Sequence, residues 1–153
     1  MISKSLFALT LFVSGACEQD SQNESLGAAS SMLAEFDRSQ EIYFRLRSTP
    51  ESPIPVNREM FEGRWDIELG YRCRGDCPVQ LRAIRRLLAS ASDVEASCPN
   101  NVVMTMEFRD AERVSRYYID ASGQCIEGSS GALAISSNLY EHVRTGARSI
   151  ALR

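Results

Sequence analysis

The sequence predicts an α+β domain: an antiparallel-rich sheet of four to five strands, helices packed on one of its faces, and two disulfides. Three observations predict it. From Arg64 to Cys73, the residues Trp65, Ile67, Leu69, Tyr71 and Cys73 alternate with Arg64, Asp66, Glu68, Gly70 and Arg72, the period of two of a half-buried strand. The period then lengthens, and Leu81, Ile84, Leu87, Leu88 and Ala91 fall on one side of a 3.6-residue helix with Arg82, Arg85 and Arg86 opposite. Further on, Asn101–Arg109 and Val114–Asp120 are two alternating runs joined by a short polar turn, the pattern of a hairpin.

Length and composition agree with one domain. The chain has 153 residues, 44% of them apolar, enough for a real core. A formal charge of −3 gives no basis for bulk nucleic-acid binding. Every basic residue after Lys4 is arginine. Arginine suits recognition of carboxylates and phosphates; the plainer explanation is codon usage in a GC-rich genome.

Residues 1–16 hold a basic start (Lys4), an apolar run from Leu6 to Val13 and a small-residue end, Ser14-Gly15-Ala16, which reads as a signal peptide. The run is too short to span a membrane as a helix, which takes roughly 18 residues. Residues 17–25 place Cys17 before a polar tether, and losing Lys4 with the signal takes the net charge to −4. Residues 26–153 then form the single α+β domain.

Within it, Leu26, Ala29, Leu33 and Phe36 share one helical side, predicting a helix over residues 28–38. Glu41–Ser48 alternates Ile42, Phe44 and Leu46 with Tyr43, Arg45 and Arg47, a first strand. Pro50, Pro53 and Pro55 exclude a sheet interior for the next stretch, because proline cannot donate to a ladder. Asn57 is placed to cap a single turn over Arg58–Glu62. The strand at Trp65 and the arginine-faced helix follow, and that helix is expected to pack on Trp65, Ile67 and Leu69. Pro78 suits its first turn and Asp76 its cap. After the hairpin, Gly128–Gly131 reads as a flexible loop. Asn138 and Glu141 resemble a capping box for a short helix, Leu139–Thr145, stopped by Gly146, with Ser149–Leu152 as a last short strand.

The segment Gly15-Ala16-Cys17 at the end of the apolar run resembles a bacterial lipoprotein signal, although Ser14 stands where that class usually carries an aliphatic residue. The resemblance covers the signal region alone. It implies that Cys17 is lipidated after cleavage and anchors the chain to the membrane of the bacterial cell envelope. Glu18, where aspartate is associated with inner-membrane retention, implies the outer membrane facing the periplasm. The alternative is ordinary cleavage, which leaves Cys17 unmodified and the protein soluble in the periplasm or secreted.

Four cysteines after Cys17 in an exported chain imply two disulfides, and four cysteines allow three pairings. If Arg109 and Val114 close the hairpin, Met106 faces Tyr117, Met104 faces Ile119 and Glu107 faces Arg116, so apolar meets apolar and opposite charges meet. Carried to the open end, that register sets Cys98 opposite Cys125, leaving Cys73 to pair with Cys77 by elimination. The latter loop, Arg74-Gly75-Asp76, matches the integrin-ligand tripeptide, and Asp76 already has a capping role.

Catalytic signals are thin. His142 is the only histidine, which excludes a His-rich zinc site, and no G-x-S-x-G elbow accompanies it. Asp66, Glu68 and Glu107 offer a carboxylate pair in principle, but they are interleaved with arginines as in cross-strand ion pairs. Neither a metal nor a cofactor is implied. The best surface candidate is a face bearing Tyr43, Arg45, Arg47, Arg72, Arg116 and Tyr118, residue types enriched in interfaces. The expectation is a membrane-tethered, non-enzymatic protein-binding module of inhibitor, immunity or assembly-accessory type, whose arginines meet an acidic protein partner. The alternative is a small envelope hydrolase using His142 or a carboxylate pair.

Overall fold

The strand β1 (Glu41–Leu46) buries Ile42, Phe44 and Leu46 completely and turns Glu41, Tyr43 and Arg45 the other way, as its alternation predicts. The computed structural model describes residues 27–73 and 77–151. The signal segment, Cys17, the tether and the Arg74–Asp76 loop, with the expected Asp76 cap, lie outside the described residues. Helix α1 (Ala28–Arg38) precedes β1. Helix α2 (Arg58–Phe61), β2 (Ile67–Arg72), α3 (Val79–Ala89) and β3 (Ser92–Val94) follow, then β4 (Val102–Arg109), β5 (Val114–Asp120), β6 (Cys125–Gly128), β7 (Gly131–Ala134) and α4 (Leu139–Ala151).

Among the described residues the strands form one seven-stranded sheet in the order β2-β1-β4-β5-β6-β7-β3, and every neighbouring pair is antiparallel. The class is therefore α+β, as expected, with more strands than the four to five predicted. The three additional strands, β3, β6 and β7, are three or four residues long and too short to show a period. The stretch expected to be a loop, Gly128–Gly131, is the tight end of the β6–β7 hairpin, with Gly128 paired to Gly131.

Three helices share one face of the sheet. Met32 and Phe36 of α1, Leu81, Ile84 and Leu88 of α3, and Leu139, Tyr140 and Val143 of α4 bury themselves on Ile42, Phe44, Met104, Met106 and Ile119. The Tyr140 hydroxyl donates to the Arg47 carbonyl at 2.6 Å and ties α4 to the end of β1. The fourth helix departs from the expected one-sided packing. Phe61 of α2 joins Val56 and Val102 in a second, smaller core on the opposite face, with Met60, Trp65 and Tyr118 against it. Trp65 is thus not on the α3 side: its N–H still bonds back to the Phe61 carbonyl at 3.2 Å, so strand alternation begins only at Ile67.

The cap of α2 forms as its sequence predicts, with the Met60 N–H donating to Asn57 Oδ1 at 2.8 Å. Asn57→Ala is expected to lower stability by about 1 kcal/mol, read as a shift of the urea midpoint at constant slope.

The C-terminal helix corrects two expectations. Gly146 does not stop it, and residues 149–151 continue the helix instead of forming a strand. An interior glycine costs a helix only about 1 kcal/mol relative to alanine, which the burial of Leu139, Tyr140 and Val143 outweighs.

The β4–β5 hairpin has the register expected from charge and apolar matching, from Arg109–Val114 through Glu107–Arg116 to Met104–Ile119. It then shifts by one residue between Val102 and Met104. Both expected disulfides are present, Cys98–Cys125 with Cα atoms 5.6 Å apart and Cys73–Cys77 with Cα atoms 4.8 Å apart. The first is reached by a different route from simple extension of the hairpin. β5 ends at Asp120, Gly123 turns the chain at φ 68°, and Cys125 opens the next strand. Cys98 meets it from a loop whose N–H donates to Glu127 Oε2 at 3.0 Å.

Candidate interaction face

The outer faces of β2, β1, β4 and β5 are adjacent, so their polar side chains line up in rows across the sheet. One row runs Arg72, Glu41, Arg109; the next Gly70, Tyr43, Glu107, Arg116; the third Glu68, Arg45, Thr105, Tyr118 and, on β6, Glu127. Opposite charges alternate along and between these rows. Gly70 has a local reason: a Cβ there would come within 2.9 Å of the Tyr43 ring, which lies across it.

Glu107 is the hub. Its side chain is 3% exposed, yet it is ionised among arginines. Arg116 donates to it through Nη2 at 2.6 Å and Nε at 3.1 Å, Arg109 donates from the same strand, and Arg45 Nη1 lies 3.5 Å away. Burial pushes the Glu107 carboxyl up, but the hydrogen bonds from Arg116 and Arg109 and their charges outweigh it, and it titrates below the usual range. The same hydrogen bonds hold the Arg109 and Arg116 guanidiniums above theirs.

The pairing continues outward. Arg45 reaches Glu68 at 2.7 Å, Arg116 reaches Glu62 at 2.7 Å, Arg72 reaches Glu41 at 3.2 Å and Arg58 reaches Glu127 at 2.9 Å. Three of these arginines also stack: Arg109 over Tyr43 at 4.4 Å, Arg58 over Tyr118 at 4.7 Å and Arg45 over Trp65 at 5.3 Å.

Of the six residues expected to form a surface, Tyr43, Arg45, Arg72, Arg116 and Tyr118 do share this face. Arg47 does not: it is 8% exposed, with Nη2 donating to the Glu51 carbonyl at 3.3 Å. It falls one residue beyond the end of β1, where the proline-rich segment that follows supplies the Glu51 carbonyl to it. Three contributors stood outside the expected six: Arg109, which alternation makes legible because it has the parity of Glu107, and Arg58 and Trp65, which arrive from outside the strands. Since the arginines face carboxylates one for one, the face carries no surplus positive charge to attract an acidic partner.

The catalytic alternatives fare differently. His142 is exposed on α4 beside an apolar cleft of about 220 Å³ lined by Tyr71, Val79, Ala83, Ile84 and Val143, with neither a serine nor a carboxylate in that lining. Glu107 shifts away from the raised pKa that a general acid needs. Glu68 is held by Arg45, and Asp66 accepts from the Ser48 N–H and hydroxyl. Among the described residues there is no group of three or more potential metal ligands, and no helix long and apolar enough to cross a membrane. Beside Cys98–Cys125 lies a cleft of about 280 Å³ lined by Arg58, Asn100, Tyr118, Asp120 and Glu127. Its carboxylates already accept bonds from Ser122, Cys125, Cys98 and Arg58.

No family model, curated protein or solved structure matches the chain. The functional reading therefore rests on the residues themselves.

Proposed function

We propose that this chain is a membrane-tethered protein of the bacterial envelope that acts by binding a protein partner, of inhibitor, immunity or assembly-accessory type. The observation that supports it best is the outer sheet face. Its arginines and tyrosines are held in place by ion pairs and ring stacking before any partner arrives. Side chains fixed in advance lose little conformational entropy on binding, so the ordering cost that opposes association is smaller than for mobile ones. The partner it suits carries a matching alternation of charge with apolar positions for Tyr43 and Tyr118. Arg72, with a side chain 70% exposed, is the most accessible arginine of the six residues expected there. Arg72→Glu is expected to weaken recovery of the partner at least tenfold while the melting temperature stays within about 1–2 °C, and His142→Ala is expected to change neither. Loss of biological activity in a folded His142→Ala variant would replace this reading with the hydrolase.

The tether rests on Cys17 and the polar segment after it. Lipid chains add about 0.8 kcal/mol of membrane affinity per buried CH₂, so several together anchor firmly. Cell fractionation is expected to place the wild type in the outer-membrane fraction and Cys17→Ala in the soluble periplasm. Wild type found wholly in the soluble fraction would contradict the anchor.

A further inference from the structure

Among the described residues, two exposed arginines without an ion-pair partner, Arg38 and Arg82, lie elsewhere, at the end of the sheet. A cleft of about 410 Å³ opens between the C-terminal end of α1, the start of β1 and the first turns of α3. Its apolar lining is Phe36, Leu81 and the Cys73–Cys77 disulfide; Arg38, Arg82 and Arg85 stand among its polar residues, with Asp37 the one carboxylate among the described residues that line it. Asp37 is taken by Arg85 through two bonds of 2.6 and 2.7 Å, and that hydrogen-bonded pair holds the Asp37 carboxyl below its ordinary range. Arg38 is exposed and has no ion-pair partner within 4 Å among the described residues. Arg82 is exposed and has no ion-pair partner among the described residues.

A second cleft, of about 260 Å³, shares Gln40 and Cys73 with the first and extends it to Glu41 and the exposed Arg72. The two clefts adjoin at Gln40 and Cys73 and together form a track along the sheet end. A track suits a polymer better than a compact small molecule. Its apolar floor asks for one large side chain, and the two unpaired arginines of its rim, Arg38 and Arg82, ask for carboxylates beside that chain.

We infer that this track binds an extended acidic peptide. One apolar or aromatic side chain sits on Phe36, Leu81 and the disulfide, and flanking carboxylates meet Arg38 and Arg82. The inference goes beyond the partner-binding reading of the outer face; Arg72 and Glu41 border both sites, but Arg38 and Arg82 do not belong to that face, so the inference stands if the face proves inert.

The test is fluorescence anisotropy with the mature protein, its disulfides intact, and a labelled peptide of glutamates around a single phenylalanine. Saturable binding is expected. Arg38→Glu and Arg82→Glu should each weaken it about tenfold, and replacing the peptide's phenylalanine by alanine should do the same. Both side chains are exposed, so the melting temperature of the variants should match the wild type. No saturable binding to the wild type, undiminished binding to the double variant, or equal binding of a neutral glutamine peptide would each overturn the site. Polyphosphate competing fully, together with equal binding of the alanine peptide, would overturn the peptide assignment in favour of a simple polyanion site.

Discussion

Glu107→Ala is expected to destabilise the domain by about 3 kcal/mol, near the lower end of what removing one partner of a buried ion pair costs. The loss is not that of one salt bridge. Arg45, Arg109 and Arg116 all converge on this carboxylate, and without it three guanidiniums are left beside one another on adjacent strands. Their own side chains are 17%, 38% and 35% exposed, so water relieves part of the repulsion and keeps the cost from being larger. Chemical denaturation of wild type and variant at neutral pH measures it. A difference below about 1 kcal/mol would mean that the hub is an exposed-type pair of little consequence.

The same carboxyl sets a pH dependence. Its folded pKa lies below the unfolded value, so its contribution is complete above about pH 4.3 and is lost as the pH falls through the folded pKa. The wild type should lose stability over that acid range more steeply than Glu107→Gln, which has no proton to take up at this position. Parallel curves would contradict the assignment. Arg116 and Arg45, which look on sequence like disposable surface charges, should prove costly to truncate for the same reason, and this makes them poor choices for separating binding from folding.

The second large effect is the Cys98–Cys125 disulfide, which closes a loop with a sequence separation of 27, against 4 for Cys73–Cys77. Loop-closure entropy predicts a loss of about 3.5 kcal/mol when the former is replaced by two alanines and about 2 kcal/mol for the latter. The longer loop also contains the whole β4–β5 hairpin, so its removal releases the segment that brings Glu107 to Arg116. Urea denaturation of the two double variants checks the order. A larger loss from Cys73 and Cys77 would show that the corner before α3, and not chain entropy, dominates.

Much of this architecture was legible where a period ran long enough to be read. β1, β2, α1, α3 and the β4–β5 register follow from alternation, helical spacing and the opposition of Glu107 to Arg116. The rest depends on partners distant in the chain. Ser92–Val94 is a strand because β7 offers it a ladder, and the four-residue strands of the β6–β7 hairpin exist through their neighbours. Trp65 looked like the first inward residue of β2, but the turn after α2 carries it to the other face. The continuation of α4 past Gly146 shows tertiary burial overriding a local stop signal. At the candidate face, parity identified which side chains share a surface but not their saturation by carboxylates. Nor could it show that Arg47 is covered while Arg38 and Arg82 stay open.

If a partner seats on the outer sheet face, photo-crosslinking in intact cells will catch it there. A photoreactive phenylalanine analogue placed at Arg72 or at Glu68, both exposed on that face, should yield the same discrete adduct. The analogue at Glu141 or Ser90, exposed on the helical side, should yield none. Adducts from the helical positions alone, with none from Arg72 or Glu68, would exclude the outer face and move the functional surface to the side that carries His142.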